Sequence, residues 1–302
     1  MKIPLGMSLP HRSPDPIDMA AVRQVAQRAD ALGFRELWVT ENTLDHVPSF
    51  DPITVLTYAA AVTTRIRLGV AVLVLPVSHP IHVAHQVATL DHVSHGRAIL
   101  GVGLGRADRY ASFQVPREHR VRRFCEGVEL IKALWTQAKV DYRGDVFRVE
   151  GGAIPLKPVQ TPHPPIWLGG NHPDAIRRAA TLAEGWMGSG GSSQATFARS
   201  VPVLREALEK AGRDPATFPL SKRVFLSVHE RADVARAEVE RWFATVYHNP
   251  AGADASGVHG TPEQVRERLE ELVALGANHL LLNPVCRYAE QVEALAAVAG
   301  LA

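Results

Sequence analysis

Residues 65–109 read RIRLGVAVLVLPVSHPIHVAHQVATLDHVSHGRAILGVGLGRADR. Within them, 67–74 is a continuous apolar run rich in β-branched residues, which suits a strand buried on both faces of a parallel sheet. Residues 79–95 carry helical periodicity, and 97–104 return as a second buried strand that breaks up into Gly101, Gly103 and Gly105. Two parallel strands joined by a helix put both strand ends on one rim, where α/β folds keep their chemistry.

The alternation continues on both sides of this stretch. Before it come a strand at 3–9, an amphipathic helix at 17–32 stopped by Gly33, a strand at 37–40 and a helix at 51–63. After it come a helix at 118–135 and an excursion at 140–162, rich in Gly and Pro and read as a hairpin. Strands at 165–168, 185–189, 221–229 and 277–283 then alternate with helices at 173–183, 194–211, 232–247, 261–275 and 290–298. A second excursion, about 248–260, is a Gly/Ala/Ser-rich loop. Eight strands alternating with helices, with no change of composition between halves, predict one (β/α)8 TIM-barrel domain over 1–302, of the α/β class, with these two insertion segments. A doubly wound sheet would need a nucleotide fingerprint after the first strand, and SLPHRSPDP cannot make that turn.

Composition narrows the function classes. The chain has 302 residues, 46% hydrophobic and 21% charged, with a net charge of +2. That balance gives no electrostatic case for nucleic acid or a membrane surface, and leaves a small-molecule substrate as the expected partner. Cys125 and Cys286 lie far apart and fit no metal spacing, so a reducing compartment is expected. MKIPLGMSLP opens on a strand-like run without a signal-peptide core, and the expectation is a cytoplasmic protein.

Several segments, taken in order, carry a family resemblance: WVTEN (38–42), LGVAVLVLPVSHP (68–80), GRAILGVGLG (96–105), RRFCEGVELIKALW (122–135), PPIWLGGN (164–171), AEGW (183–186) and GTPEQVRERL (260–269). The chain resembles the bacterial luciferase-like monooxygenase superfamily over nearly its whole length. The resemblance implies a TIM barrel that binds coenzyme F420 or, alternatively, FMN at its carboxyl rim, and a homodimer formed through exterior helices. The apolar face Val55, Leu56, Ala59, Ala60 and Val62 is the sequence feature that would serve such a dimer. A chain near 300 residues looks most like the F420-dependent branch. That branch transfers a hydride between the deazaflavin and a small organic substrate. The alternatives are an FMN-dependent monooxygenase using reduced flavin and oxygen, and a flavin-binding protein without catalysis.

The site residues follow from the same resemblance. A non-proline cis peptide behind the tricyclic ring falls at Ala71–Val72. Glu41 matches an acid at the end of the second strand, placed to hydrogen-bond the ring's polar edge. Asn42 stands where the family often has a histidine; an amide orients a substrate oxygen but does not transfer protons at neutral pH. His46, in the same loop, is the substitute proton carrier.

Gly101, Gly103 and Gly105 fail as a dinucleotide fingerprint, because Arg106 occupies the place of the third glycine. As rim glycines they let a ligand approach the backbone, with Gly103 assigned to the cofactor. Arg106 and Arg109 offer guanidinium groups for a phosphate, a ring carbonyl or an anionic substrate, and neither acts as a general acid. Gly169, Gly170, Asn171 and His172 precede a helix start, where free N–H groups attract a phosphate; Ser189 and Gly190 close the site. His79, His82, His85, His92 and His95 do not read as a metal site, because barrel metalloenzymes take their first ligands from strand ends. Of these histidines, His79 is the one expected near substrate.

Overall fold

The computed structural model describes residues 1–301. Its strands are β1 (Leu5–Ser8), β2 (Glu36–Val39), β3 (Arg67–Val70), β4 (Leu73–Val74), β5 (Ala98–Gly103), β6 (Val140–Arg143), β7 (Arg148–Gly152), β8 (Ile166–Gly169), β9 (Gly185–Gly188), β10 (Leu220–Val228), β11 (Gly257–Gly260) and β12 (His279–Pro284). The helices are α1 (Met19–Leu32), α2 (Pro52–Val62), α3 (Pro80–Val93), α4 (Arg120–Thr136), α5 (Pro173–Leu182), α6 (Gln194–Lys210), α7 (Ala232–Tyr247), α8 (Gly252–Ser256), α9 (Pro262–Ala274) and α10 (Tyr288–Ala299).

Eight parallel positions close into a barrel in the order β1, β2, β3 with β4, β5, β8, β9, β10, β12. Closure is made by the parallel pairing of β9 with β10, where Trp186 faces Leu220. Strand β10 is longer than its neighbours. Leu220–Lys222 pair with β9, whereas Phe225–Val228 pair with β11 on the same edge. The two strand ends therefore part above Lys222, and the loop after β9 turns over the mouth. Strands such as β5 and β12 are buried along their whole length, as expected of continuous apolar runs under a ring of helices.

The interruption that the family resemblance implied at Ala71–Val72 is present, and two other segments depart from the sequence reading. The run 67–74 is one strand in sequence but two in space, because Ala71 and Val72 leave the ladder between β3 and β4, with a cis peptide bond between them. Glu41 supports that bulge by accepting the Val74 N–H at 2.7 Å. The excursion after α7 is ordered rather than a plain loop: it forms α8 and then β11, whose backbone is satisfied by the free upper edge of β10. Residues Ala107–Phe113, unassigned in the sequence reading, make a 3-10 helix at the rim. The expected hairpin at 140–162 is present as antiparallel β6 and β7.

A third correction concerns the exterior face expected to serve a dimer. Val55, Leu56, Ala59 and Ala60 of α2 are buried within the chain's own core, so they are not free to bind a second copy.

Beneath the mouth the barrel is filled by a polar triad among aromatic rings. Glu36 Oε2 and Ser221 Oγ engage the two ring nitrogens of His279 at 2.9 and 2.7 Å, and Trp167 packs edge-on to that ring. All three polar side chains are buried, at the amino-terminal half of their strands. A satisfied polar network below the mouth gives the cavity above a rigid base.

Candidate active site

The loops leaving the carboxyl ends of the strands enclose a cavity of about 650 Å³. The catalytic and cofactor candidates of the sequence reading lie on its lining: Glu41, Asn42 and His46; Ala71 and Val72; Gly103, Arg106 and Arg109; Gly169, Gly170, Asn171 and His172; Ser189 and Gly190. His79 does not. It caps α3 and packs edge-on against Phe147, away from the cavity.

The wall at Ala71–Val72 is built by the glycines around it. A Cβ on Gly103 would lie 2.7 Å from Val72 Cγ2, and one on Gly169 would lie 2.7 Å from Val72 Cγ1. Likewise, a Cβ on Gly101 would strike the Val70 carbonyl oxygen at 1.9 Å. These glycines make room for the displaced strand, which then presents Val72 to the cavity. That differs from the sequence reading, in which they admitted the ligand directly. The resulting apolar surface fits the face of a planar ring.

Glu41 is also committed locally. Besides the Val74 N–H, its carboxylate accepts the Thr43 hydroxyl at 3.1 Å. Burial pushes its pKa up, against the hydrogen bond from Val74, which lowers it. It is therefore a support for the wall. Asn42 donates from Nδ2 to Thr40 Oγ1 at 2.6 Å. Thr40 in turn meets His11 Nε2 with both its backbone N–H, at 2.8 Å, and its hydroxyl, at 2.9 Å. Since Nε2 accepts the backbone N–H, the His11 ring proton sits on Nδ1 and is donated to the Leu9 carbonyl at 2.8 Å. Burial lowers the His11 pKa to about 3, so this ring fixes the end of β1 against that of β2 without carrying protons. The sequence reading missed His11, which shows nothing distinctive among the turn residues that follow the first strand.

His46 is held at the mouth. Its Nε2 lies 2.8 Å from the Thr245 carbonyl, its Nδ1 lies 2.9 Å from Asp45 Oδ1, and its ring stacks on His248 at 4.7 Å. His248, just beyond α7 with a left-handed backbone, was not a candidate from sequence because it follows a strongly helical run.

The opposite side offers an anion seat. Pro173 has no N–H, and His172 Nδ1 takes the Asp174 N–H, so the helix start itself supplies fewer donors than the sequence reading assumed. The donors come instead from the two loops that face each other. Ser189 N–H donates to Asn171 Oδ1 at 3.2 Å, which joins them, while the N–H groups of Asn171, His172, Gly190 and Gly191 have no protein acceptor among the described residues. Arg178, from the second turn of α5, lines the same side. Lys222 braces the loop from below: its buried ammonium donates to the carbonyls of Ser189 and of Ser192, the latter at 2.9 Å. Burial lowers its pKa to about 7. Backbone donors with a guanidinium beside them are the chemistry of a phosphate site. Arg106 is less available than its position suggested, since it is mostly exposed and paired with Asp108 at 2.7 Å.

These features form one site: a flat apolar wall, a cluster of backbone donors suited to a phosphate, and space between them. The model of the luciferase-like monooxygenase family matches residues 3–257. The chain belongs to that family. A Mycobacterium tuberculosis protein described as uncharacterised is 35% identical over 214 residues, which cover 63% of this chain and 74% of that protein. Among solved structures, a monooxygenase, RslO1, from Streptomyces bottropensis superposes with a TM-score of 0.86 at 23% identity over 98% of both chains. An F420-dependent secondary alcohol dehydrogenase in complex with an F420-acetone adduct superposes with a TM-score of 0.87 at 19% identity, over 100% of this chain and 99% of that one. At these identities the two structures speak for the fold, a closed eight-stranded parallel barrel. The family is described as luciferase-like monooxygenases, and the two superposed structures are a monooxygenase and an F420-dependent alcohol dehydrogenase.

Proposed function

We propose that this protein transfers a hydride between coenzyme F420 and a small organic substrate. The observation that carries the reading is the cavity itself, whose lining combines the apolar Val72 wall with two backbone loops and Arg178, a set that suits a planar ring and a phosphate. Bound there, the deazaflavin would supply the hydride chemistry. The protein's part is to hold and orient. Ala71 and Val72 back the ring, the N–H groups of Asn171, His172, Gly190 and Gly191 with Arg178 hold the phosphate, and Glu41 keeps the wall in place.

Asn42 orients a substrate oxygen, and the stacked His46–His248 pair stands where a proton exchanges with solvent.

The test is an anaerobic assay of reduced F420 oxidation with a panel of small ketones. Turnover without oxygen supports hydride transfer. The second reading, an FMN-dependent monooxygenase, is favoured by the family's own description. It requires turnover that depends on both reduced FMN and oxygen. Cofactor binding with no turnover under either regime would leave a flavin-binding protein.

A further inference from the structure

In an eight-position barrel, the strand four places away lies directly across the mouth. For Ala71 and Val72, at the third position, that strand is β10 at the seventh. A ring standing against Val72 therefore leaves the substrate to fill the space in front of β10, and the side chain that β10 offers to the cavity there is Arg223.

Arg223 is a cation without a counter-ion. Its hydrogen-bond partner among the described residues is one neutral oxygen, Asn283 Oδ1, reached from Nε at 2.9 Å and from Nη2 at 2.5 Å. Its guanidinium carbon lies 4.7 Å from the centre of the buried Phe225 ring, which holds the group in a fixed plane. Arg12, the nearby cation on the same lining, is already neutralised by Asp45 at 2.6 Å. Arg223 thus stands on this part of the wall with no anion paired to it. Burial lowers the Arg223 pKa only to about 10, so the charge persists at neutral pH. Desolvating a charge with no anion beside it is costly, and an anionic ligand would relieve that cost.

The donors left on Arg223 describe the anion. A guanidinium has five N–H groups, and Asn283 takes one from Nε and one from Nη2. The two on Nη1 and the second on Nη2 remain, and the Nη1–Nη2 edge matches a planar pair of oxygens. We propose that Arg223, held by Asn283 and Phe225, seats the carboxylate of the substrate, so that the substrates of this protein are small organic acids. One free guanidinium edge matches one carboxylate. The inference rests on the proposed function only in assigning the Val72 side of the cavity to the cofactor.

Benzoate and its neutral isostere benzamide, titrated calorimetrically into the full chain with and without saturating F420, test the seat. The expected result is that benzoate binds about tenfold more tightly than benzamide, a preference that falls to about twofold or less in Arg223→Met. Asn283→Asp gives the same loss by a different route, because it sets a fixed carboxylate against Arg223; it answers the question even if Arg223→Met does not fold. Equal binding of the two probes by the wild type, or a preference that survives in either variant, overturns the proposal. The cofactor arm separates the two readings. Benzoate preference without F420 binding would sink hydride transfer and keep the seat, whereas F420 binding without benzoate preference would sink the seat alone.

Discussion

Val72 shapes the candidate site through two glycines that belong to other strands. With would-be Cβ atoms of Gly103 and Gly169 each 2.7 Å from its methyl groups, even one added methyl overpacks this wall. Gly103→Ala is expected to destabilise the fold by about 1–3 kcal/mol in urea unfolding, and adding Val72→Ala is expected to recover most of that loss. His11 allows a second prediction at the same scale. Its pKa is about 3 in the fold against an ordinary 6.5, so between those values the unfolded chain binds more protons than the folded one. Its contribution is complete above pH 6.5 and is lost as the pH falls toward 3. His11→Leu should flatten the fall in stability between pH 6.5 and 4 relative to wild type, and an unchanged slope would show that His11 is not the titrating group. Neither His11 nor Arg223 was legible in the sequence. The first is one residue in a turn-rich stretch, and the second sits in SKRVFLSV beside Lys222, with its partner Asn283 sixty positions further along the chain. Glu41 and Asn42 were legible as rim residues, but their bonds to Val74 and Thr40 were not.

At the scale of elements, the interruption between β3 and β4 joins the ring wall to the exit of β2. Glu41 makes that link, accepting the Val74 N–H while its own N–H donates to the Val72 carbonyl at 3.3 Å. A hydrogen bond to a charged acceptor contributes about 1.5–3 kcal/mol, so Glu41→Ala is expected to weaken cofactor binding roughly tenfold or more, with Glu41→Gln much closer to wild type. Fluorescence titration of both variants checks this, and equal affinities would mean that the link does not position the wall. The alternation of strands and helices was readable because continuous apolar runs and amphipathic periods are local signals. The break at Ala71 and Val72 was not readable from the run itself, only from the family resemblance. The order in 248–260 escaped notice because α8 is five residues long and β11 depends on an unpaired edge of β10 far away in sequence.

For the whole molecule, barrel closure sets the division of labour. The eight positions put Val72 and Arg223 on opposite sides of one mouth, with the two loops proposed for the phosphate on the arc between them and the His279 network beneath. No helix among the described residues is long and apolar enough to cross a membrane. Binding chemistry is thereby gathered at one end of the barrel, and the central claim is that this end holds a deazaflavin. The most direct test is a parallel titration of the purified chain with F420 and FMN, followed by quenching of its tryptophan fluorescence. The account predicts that F420 binds at micromolar concentration or below and at least about tenfold more tightly than FMN. Preference for FMN, or binding of neither at micromolar concentration, would contradict it.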